Sequence, residues 1–301
     1  MISEADLRRV YSSLNSLRNH SINEVEIYSG WIKNLHIKLS RSVLIINGSL
    51  CKYYFDGENQ HTLNRRETRL AIEKMENELG ISLIEASINR IDVGCNIIVD
   101  ENANTYFKYL VETRFYTRLE QPSGLYFQTS NRSIVFYDKI AELKKKKQPI
   151  IPEFQDLNVF RFETRIIRNI KNYYDMDTIQ VADLFEDEFY DNLISSWYKE
   201  YQSIRKANEI IEFNKDVLTS ARKLKHQLAV KGLETIGGYA GGMKLVEQAN
   251  REKLFSSSKQ LYDVKETLRK LNTDSELTIA SKHIEELDEK MEYIYLSNLA
   301  A

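Results

Sequence analysis

Three short segments combine charged and apolar residues in a pattern suited to phosphoryl chemistry. In "INRIDVGCNI" strand alternation puts Arg90, Asp92 and Asn96 on one face and Ile91, Val93 and Cys95 on the other. In "SIVFYDKIAE", Ser133, Val135, Tyr137 and Lys139 lie together, opposite Ile134, Phe136 and Asp138. In "VFRFETRIIR", Arg161, Glu163 and Arg165 share a face opposite Phe160, Phe162 and Ile166. Carboxylates such as Asp92 and Glu163 suit a hard divalent ion, Mg2+ or Mn2+, which polarises a phosphate oxygen. A tyrosine hydroxyl has an ordinary pKa of about 10, so it needs such an ion, or a cation such as Lys139, to become a competent nucleophile. Its attack on a phosphodiester would leave a phosphotyrosine link and a free 3′ hydroxyl. The plainer alternative is that each strand turns its polar side to water and pairs Arg with Glu across the sheet.

Charge and composition narrow the field. With 42 basic and 44 acidic residues the formal charge is −2, so a polyanion must be met by a local patch. Residues 131–171 supply one, with ten basic residues, among them Arg132, Lys144, Lys145, Arg161 and Arg165, against five acidic ones. The lysine run 144–147 taken alone reads as a solvated loop. His20, His36, His61, His226 and His283 are scattered, with no pair at a metal-ligand or relay spacing, which argues against histidine-based metal or triad chemistry. The glycine-rich "IGGYAGGMK" lacks the Gly-Lys-Ser/Thr ending of a phosphate loop and no strand precedes it, so it reads as a flexible connection between helices. Cys51 and Cys95 fall in apolar, strand-like segments, which points away from a disulfide framework and toward a reducing compartment. No apolar run approaches the ~18–20 residues of a membrane span, and the opening residues lack a signal-peptide core. The expected location is cytoplasmic, away from membranes.

The elements that must position these residues are α+β. After a short amphipathic helix, "EVEIYSG", "IKNLHIKLS" and "SVLIINGSLCKYYF" alternate as an antiparallel meander. "LNRRETRLAIEKMENELG" places Leu70, Ile72, Met75 and Leu79 at helical spacing and stops at Gly80, a suitable C-terminal cap. "SLIEASINRIDVGCNIIVD" returns to strand, a helix is expected near 103–115, and strands near 124–138 and 157–169. This predicts a mostly antiparallel sheet with packed helices over residues 1–175, and an all-helical region over 176–301. The last helix sets Leu277, Ala280, Ile284, Leu287, Met291 and Ile294 in a seam that suits packing within the chain.

Together, "INRIDVGCNI", "YDKIAEL" and "FRFETRI" resemble, in that order, the motifs of the rolling-circle replication initiators of the filamentous-phage gene II/X type. The resemblance covers residues 30–175 and extends only loosely into the helical remainder. It implies a DNA strand-transferase and endonuclease that nicks and rejoins origin DNA, single-stranded or extruded by supercoiling. By the resemblance Tyr137 is the nucleophile and Asp92 and Glu163 are metal ligands, with Glu142 either a further ligand or the residue that orients Lys139. Arg90 joins the basic residues above as a DNA contact. Many initiators carry a His-hydrophobe-His metal motif, and "NLHIKLS" supplies only His36, which favours a carboxylate site. Tyr173 and Tyr174, in "KNYYDMD", are the alternative nucleophiles. The helical region would recognise the duplex or recruit a host helicase, and a second copy of the chain is a further candidate partner. A mobilisation relaxase, or a plasmid DNA-binding protein without catalysis, fits the same residues.

Overall fold

The expected strands within 24–30 and 32–40 follow from alternation, with apolar residues near every second position and a turn between, whereas a further strand over 15–22 precedes them without that pattern. In the computed structural model, which describes residues 3–22, 25–40, 43–212 and 220–299, the chain opens with α1 (Glu4–Ser12) and the meander β1 (Asn15–Ile22), β2 (Val25–Ile32), β3 (Leu35–Ser40) and β4 (Val43–Asn47). Glu24 and Ser42, at the starts of two expected strands, and the side chain of His20 lie outside the described residues. The helices α2 (Leu50–Tyr54) and α3 (Arg65–Leu79) follow, then β5 (Ile91–Val99), α4 (Ala103–Phe107), β6 (Leu110–Glu112), β7 (Thr117–Gln121), β8 (Gly124–Gln128), β9 (Arg132–Asp138), α5 (Lys139–Lys145) and β10 (Asn158–Ile166). Beyond β10 come α6 (Ile170–Tyr173), α7 (Asp187–Gln202), the short β11 (Arg205–Lys206) and β12 (Glu209–Ile210), α8 (Ala221–Thr235), α9 (Gly238–Arg251), α10 (Ser258–Asn272), β13 (Thr278–Ile279) and α11 (Lys282–Leu299). The fold is α+β with antiparallel sheets, and helices dominate its C-terminal region. Among the described residues no helix is long and apolar enough to cross a membrane.

The chain forms two compact units, one of residues 1–96, 166–196 and 295–301, the other of residues 97–165 and 197–294. In the first, the sheet runs β1-β2-β3-β4. Its inner face packs Ile32, Leu35, Ile37 and Leu39 against Val10, Met75 and Leu79 from the helices. The helix α3 begins at a capping box of Asn64 and Glu67 and ends at Gly80 with φ 67°, the left-handed conformation expected of that glycine. In the second unit, Phe136 of β9 stacks on Phe162 of β10 with centroids 4.9 Å apart, and Phe162 meets Trp197 at 5.0 Å. The five-stranded sheet follows the order β5-β10-β9-β8-β7, so the strands of "FYDK" and "RFET" are neighbours.

Several expectations change. The helix near 103–115 is a single turn and a half, α4, followed by β6, whose partner is β11. Tyr106, Phe107, Leu110 and Val111 are all buried, a run whose periodicity suits either element. "SLCKYYF" leaves the sheet and forms α2 because Ser49 caps it through the Lys52 amide, so Cys51 is helical. Neither Cys51 nor Cys95 forms a disulfide. Strand structure begins at Ile91, not at Ser82. The glycine-rich run is no loop, since it forms the start of α9 and buries Tyr239, Gly242 and Met243. Leu277 and Ala280 precede α11, whose buried seam is Ile284, Leu287 and Met291. The region expected to be all-helical from 176 on also holds the two-residue strands β11, β12 and β13, and the compact units part within β5, β10, α7 and α11.

Candidate active site

The motif "YDKIAEL" is a strand-to-helix junction. Tyr137 is the penultimate residue of β9, and Asp138 caps α5 by accepting the Ala141 amide at 2.8 Å. That cap turns the chain so that Lys139, the first helical residue, is fully buried and donates to Glu142 Oε2 at 2.7 Å. Lys146 holds the other oxygen of Glu142. Burial would raise Glu142, and the hydrogen bonds from Lys139 and Lys146 bring it below the ordinary carboxylate range.

Across the sheet, β10 presents the polar triplet. Tyr137 Oη donates to Glu163 Oε1 at 3.0 Å. Arg161 Nε donates to the same oxygen at 2.6 Å, and Arg165 grips Oε2 through Nε at 3.0 Å and Nη2 at 2.5 Å. The polar face is not turned to open water, because Glu163 is 8% exposed and Arg161 9%. Burial alone would raise Glu163, yet the charges and hydrogen bonds of Arg161 and Arg165 overcome it and hold the carboxyl at about 2. Burial pushes the Tyr137 phenol well above its ordinary value, a rise that the charge of Arg161 opposes and those of Glu163 and Glu142 reinforce. At rest, then, Tyr137 is a neutral phenol bonded to an ionised carboxylate.

One close approach fixes the tyrosine from the other side. A Cβ on Gly124 of β8 would stand 2.4 Å from the Phe136 carbonyl oxygen and 3.0 Å from Tyr137 Cβ. Only glycine lets β9 lie this close, and a glycine opening an alternating strand was the available signal for it. Gly124→Ala is expected to cost about 1–3 kcal/mol by overpacking and to shift β9 at Tyr137, read as a lower denaturant midpoint with unchanged slope.

The other expected site residues fall as follows. Arg132 pairs with Glu200 at 3.1 Å and lies over the Tyr116 ring. Lys144 and Lys145, in the last turn of α5, are exposed. Arg90 binds both oxygens of Asp92, at 2.8 and 2.7 Å, and this pair belongs to the first unit, whereas Tyr137 and Glu163 belong to the second. Tyr174 is a core residue of the first unit, with its ring against Tyr173 and Phe189. Glu163 and Glu142 each have both oxygens held by cationic side chains, as does Asp92. Among the described residues no cluster of three or more His, Cys, Asp or Glu could hold a metal ion.

A phage family model, described as the N-terminal part of a replication-associated protein of the gene II type, matches residues 3–188, which includes both β9 and β10. None of the curated proteins matches the chain.

Proposed function

Because the chain belongs to this family of phage replication-associated proteins of the gene II type, we propose that it initiates replication by nicking and rejoining origin DNA with Tyr137 as the nucleophile. The observation that carries this reading is the hydrogen bond from Tyr137 to Glu163, a carboxylate flanked by two guanidinium groups. The phenol oxygen attacks the phosphorus, forming a new P–O bond as the P–O3′ bond breaks. Its proton passes to Glu163 Oε1, and a proton from water completes the departing 3′ hydroxyl. Rejoining runs the same steps backward.

The resting arrangement keeps this chemistry silent, because a buried phenol bonded to a strongly acidic carboxyl has no base to take its proton. A phosphodiester changes that balance, since its oxygens compete for the same bidentate donors. Each guanidinium drawn from Glu163 restores basicity to the carboxylate and supplies positive charge to the phosphorus centre. Lys144 and Lys145 add phosphate contacts at the rim, and no step here passes through a metal.

The test is incubation with a supercoiled plasmid carrying the replicon's own origin, with Mg2+, Mn2+ or EDTA. The expected product is an open circle with protein covalently attached to the 5′ end and a 3′ hydroxyl that a polymerase extends. The EDTA arm decides whether a divalent ion joins the site. A salt-sensitive mobility shift with no nick would leave a DNA-binding protein without catalysis.

A further inference from the structure

We propose that the outer face of the β1-β2-β3-β4 sheet is a platform for single-stranded DNA, with Trp31 as its stacking surface and Arg18 and Lys38 as phosphate contacts. The proposal rests on the reading of the chain as a DNA-processing replication protein, and adds a contact in the first compact unit, whereas Tyr137 belongs to the second.

Alternation assigns the face. Ile32, Leu35, Ile37 and Leu39 enter the core, so their neighbours Trp31, His36 and Lys38 point the other way. The register sets Trp31 opposite His36, Ser29 opposite Lys38, and Arg18 opposite Ser29 on the far side. Trp31 and His36 touch, with ring centroids 4.7 Å apart and planes at 41°. Trp31 is 45% exposed, and on β4 Ile45, opposite Lys38, is 47% exposed. A tryptophan and an isoleucine this open on one sheet face are apolar surface that water solvates poorly.

Charge selects the occupant. The four strands hold one acidic residue, Glu26, and it shares the inward parity of Tyr28 and Ile32, although the whole chain has 44 acidic residues. No carboxylate therefore lies on the outward positions, and among the described residues neither Arg18 nor Lys38 makes an ion pair. Two copies of such a face would repel each other, whereas a polyanion is attracted. A duplex keeps its base faces stacked on one another, while a single strand offers them to an aromatic ring. Aromatic side chains interleaved with cations are the combination that binds single strands without reading sequence.

The experiment is a fluorescence titration of the full chain carrying Tyr137→Phe with a thymidine oligonucleotide, which needs no origin sequence and no nicking. The chain has two tryptophans, and Trp197 is 3% exposed, so quenching reports on Trp31. Saturable quenching is expected, with an affinity that Trp31→Ala lowers about tenfold and Trp31→Tyr largely keeps. Lys38→Ala should flatten the salt dependence by about 0.7 in log–log slope, the share of one phosphate contact to a single strand. For Trp31→Ala, binding is followed by the mobility of labelled oligonucleotide, and circular dichroism checks the fold. Unchanged affinity in a folded Trp31→Ala overturns the proposal, as does equal quenching by a blunt duplex of the same length. A change in sedimentation of the DNA-free protein with unchanged oligonucleotide affinity also overturns it, in favour of a second copy of the chain. Failure here leaves the nicking assay on Tyr137 untouched, and failure of nicking leaves this titration readable.

Discussion

Tyr137→Phe is expected to bind origin DNA with nearly unchanged affinity and to form no covalent adduct. The substitution removes one oxygen and keeps the ring at the end of β9. Glu163 Oε1 retains the Arg161 bond at 2.6 Å, so no buried carboxylate is left bare. The folding cost is therefore one hydrogen bond, about 1 kcal/mol. The chemical cost is the whole covalent step, because among the described residues no other hydroxyl occupies that position on Glu163. Denaturing electrophoresis of end-labelled DNA separates the two, since only a covalent link survives denaturation. An adduct that persists at wild-type yield would move the nucleophile elsewhere. Tyr173→Phe is then the next variant to assay, ahead of Tyr174, which is packed into the core of the first unit.

The second large effect is structural and electrostatic. Glu163→Gln is expected to destabilise the fold by about 3–5 kcal/mol at pH 7, the range seen when one partner of a buried ion network is removed. The amide still reaches Tyr137 but cannot neutralise two guanidinium groups, one of them 9% exposed. The pH dependence has a definite sign. In the fold the carboxyl titrates at about 2, below its ordinary 4.5, so its contribution is fully present above about 4.5 and is lost as pH falls through about 2. Wild type should therefore lose stability over that interval, and Glu163→Gln should lose less of it. Urea midpoints at pH 7, 4 and 2.5 measure both quantities. Equal acid slopes in the two proteins would mean that another carboxylate carries the effect, of which Glu112, bonded to Arg269 and Tyr239, is the next to test.

Much of this site was legible in the sequence. Period-two alternation alone puts Arg161, Glu163 and Arg165 on one face and Phe160 and Phe162 on the other, and the fold keeps that division. The capping glycine of α3 and its buried residues Ile72, Met75 and Leu79 follow from local chemistry as well. Where the reading failed, a distant partner decided. The glycine-rich run forms a helix although each glycine costs about 1 kcal/mol, because burial of Tyr239, Met243 and Val246 outweighs that local penalty. The segment after α4 is a strand because Arg205 and Lys206, far along the chain, pair with it.

The sequence by itself determined which residues of a strand share a face, since that depends on neighbours a few residues apart, but it ran the strand of Tyr137 on through Lys139, where Asp138 in fact caps the start of α5. It left open whether Arg161 and Arg165 would face water, DNA or Glu163, and whether Glu142 would hold a metal or Lys139, and it did not show that Glu163 would be buried with Tyr137 bonded to it. Those choices belong to the tertiary structure. A buried ion takes the nearest counter-ion that desolvation leaves it, and which one is nearest is set by the packing of β9 against β10 and by the turn into α5.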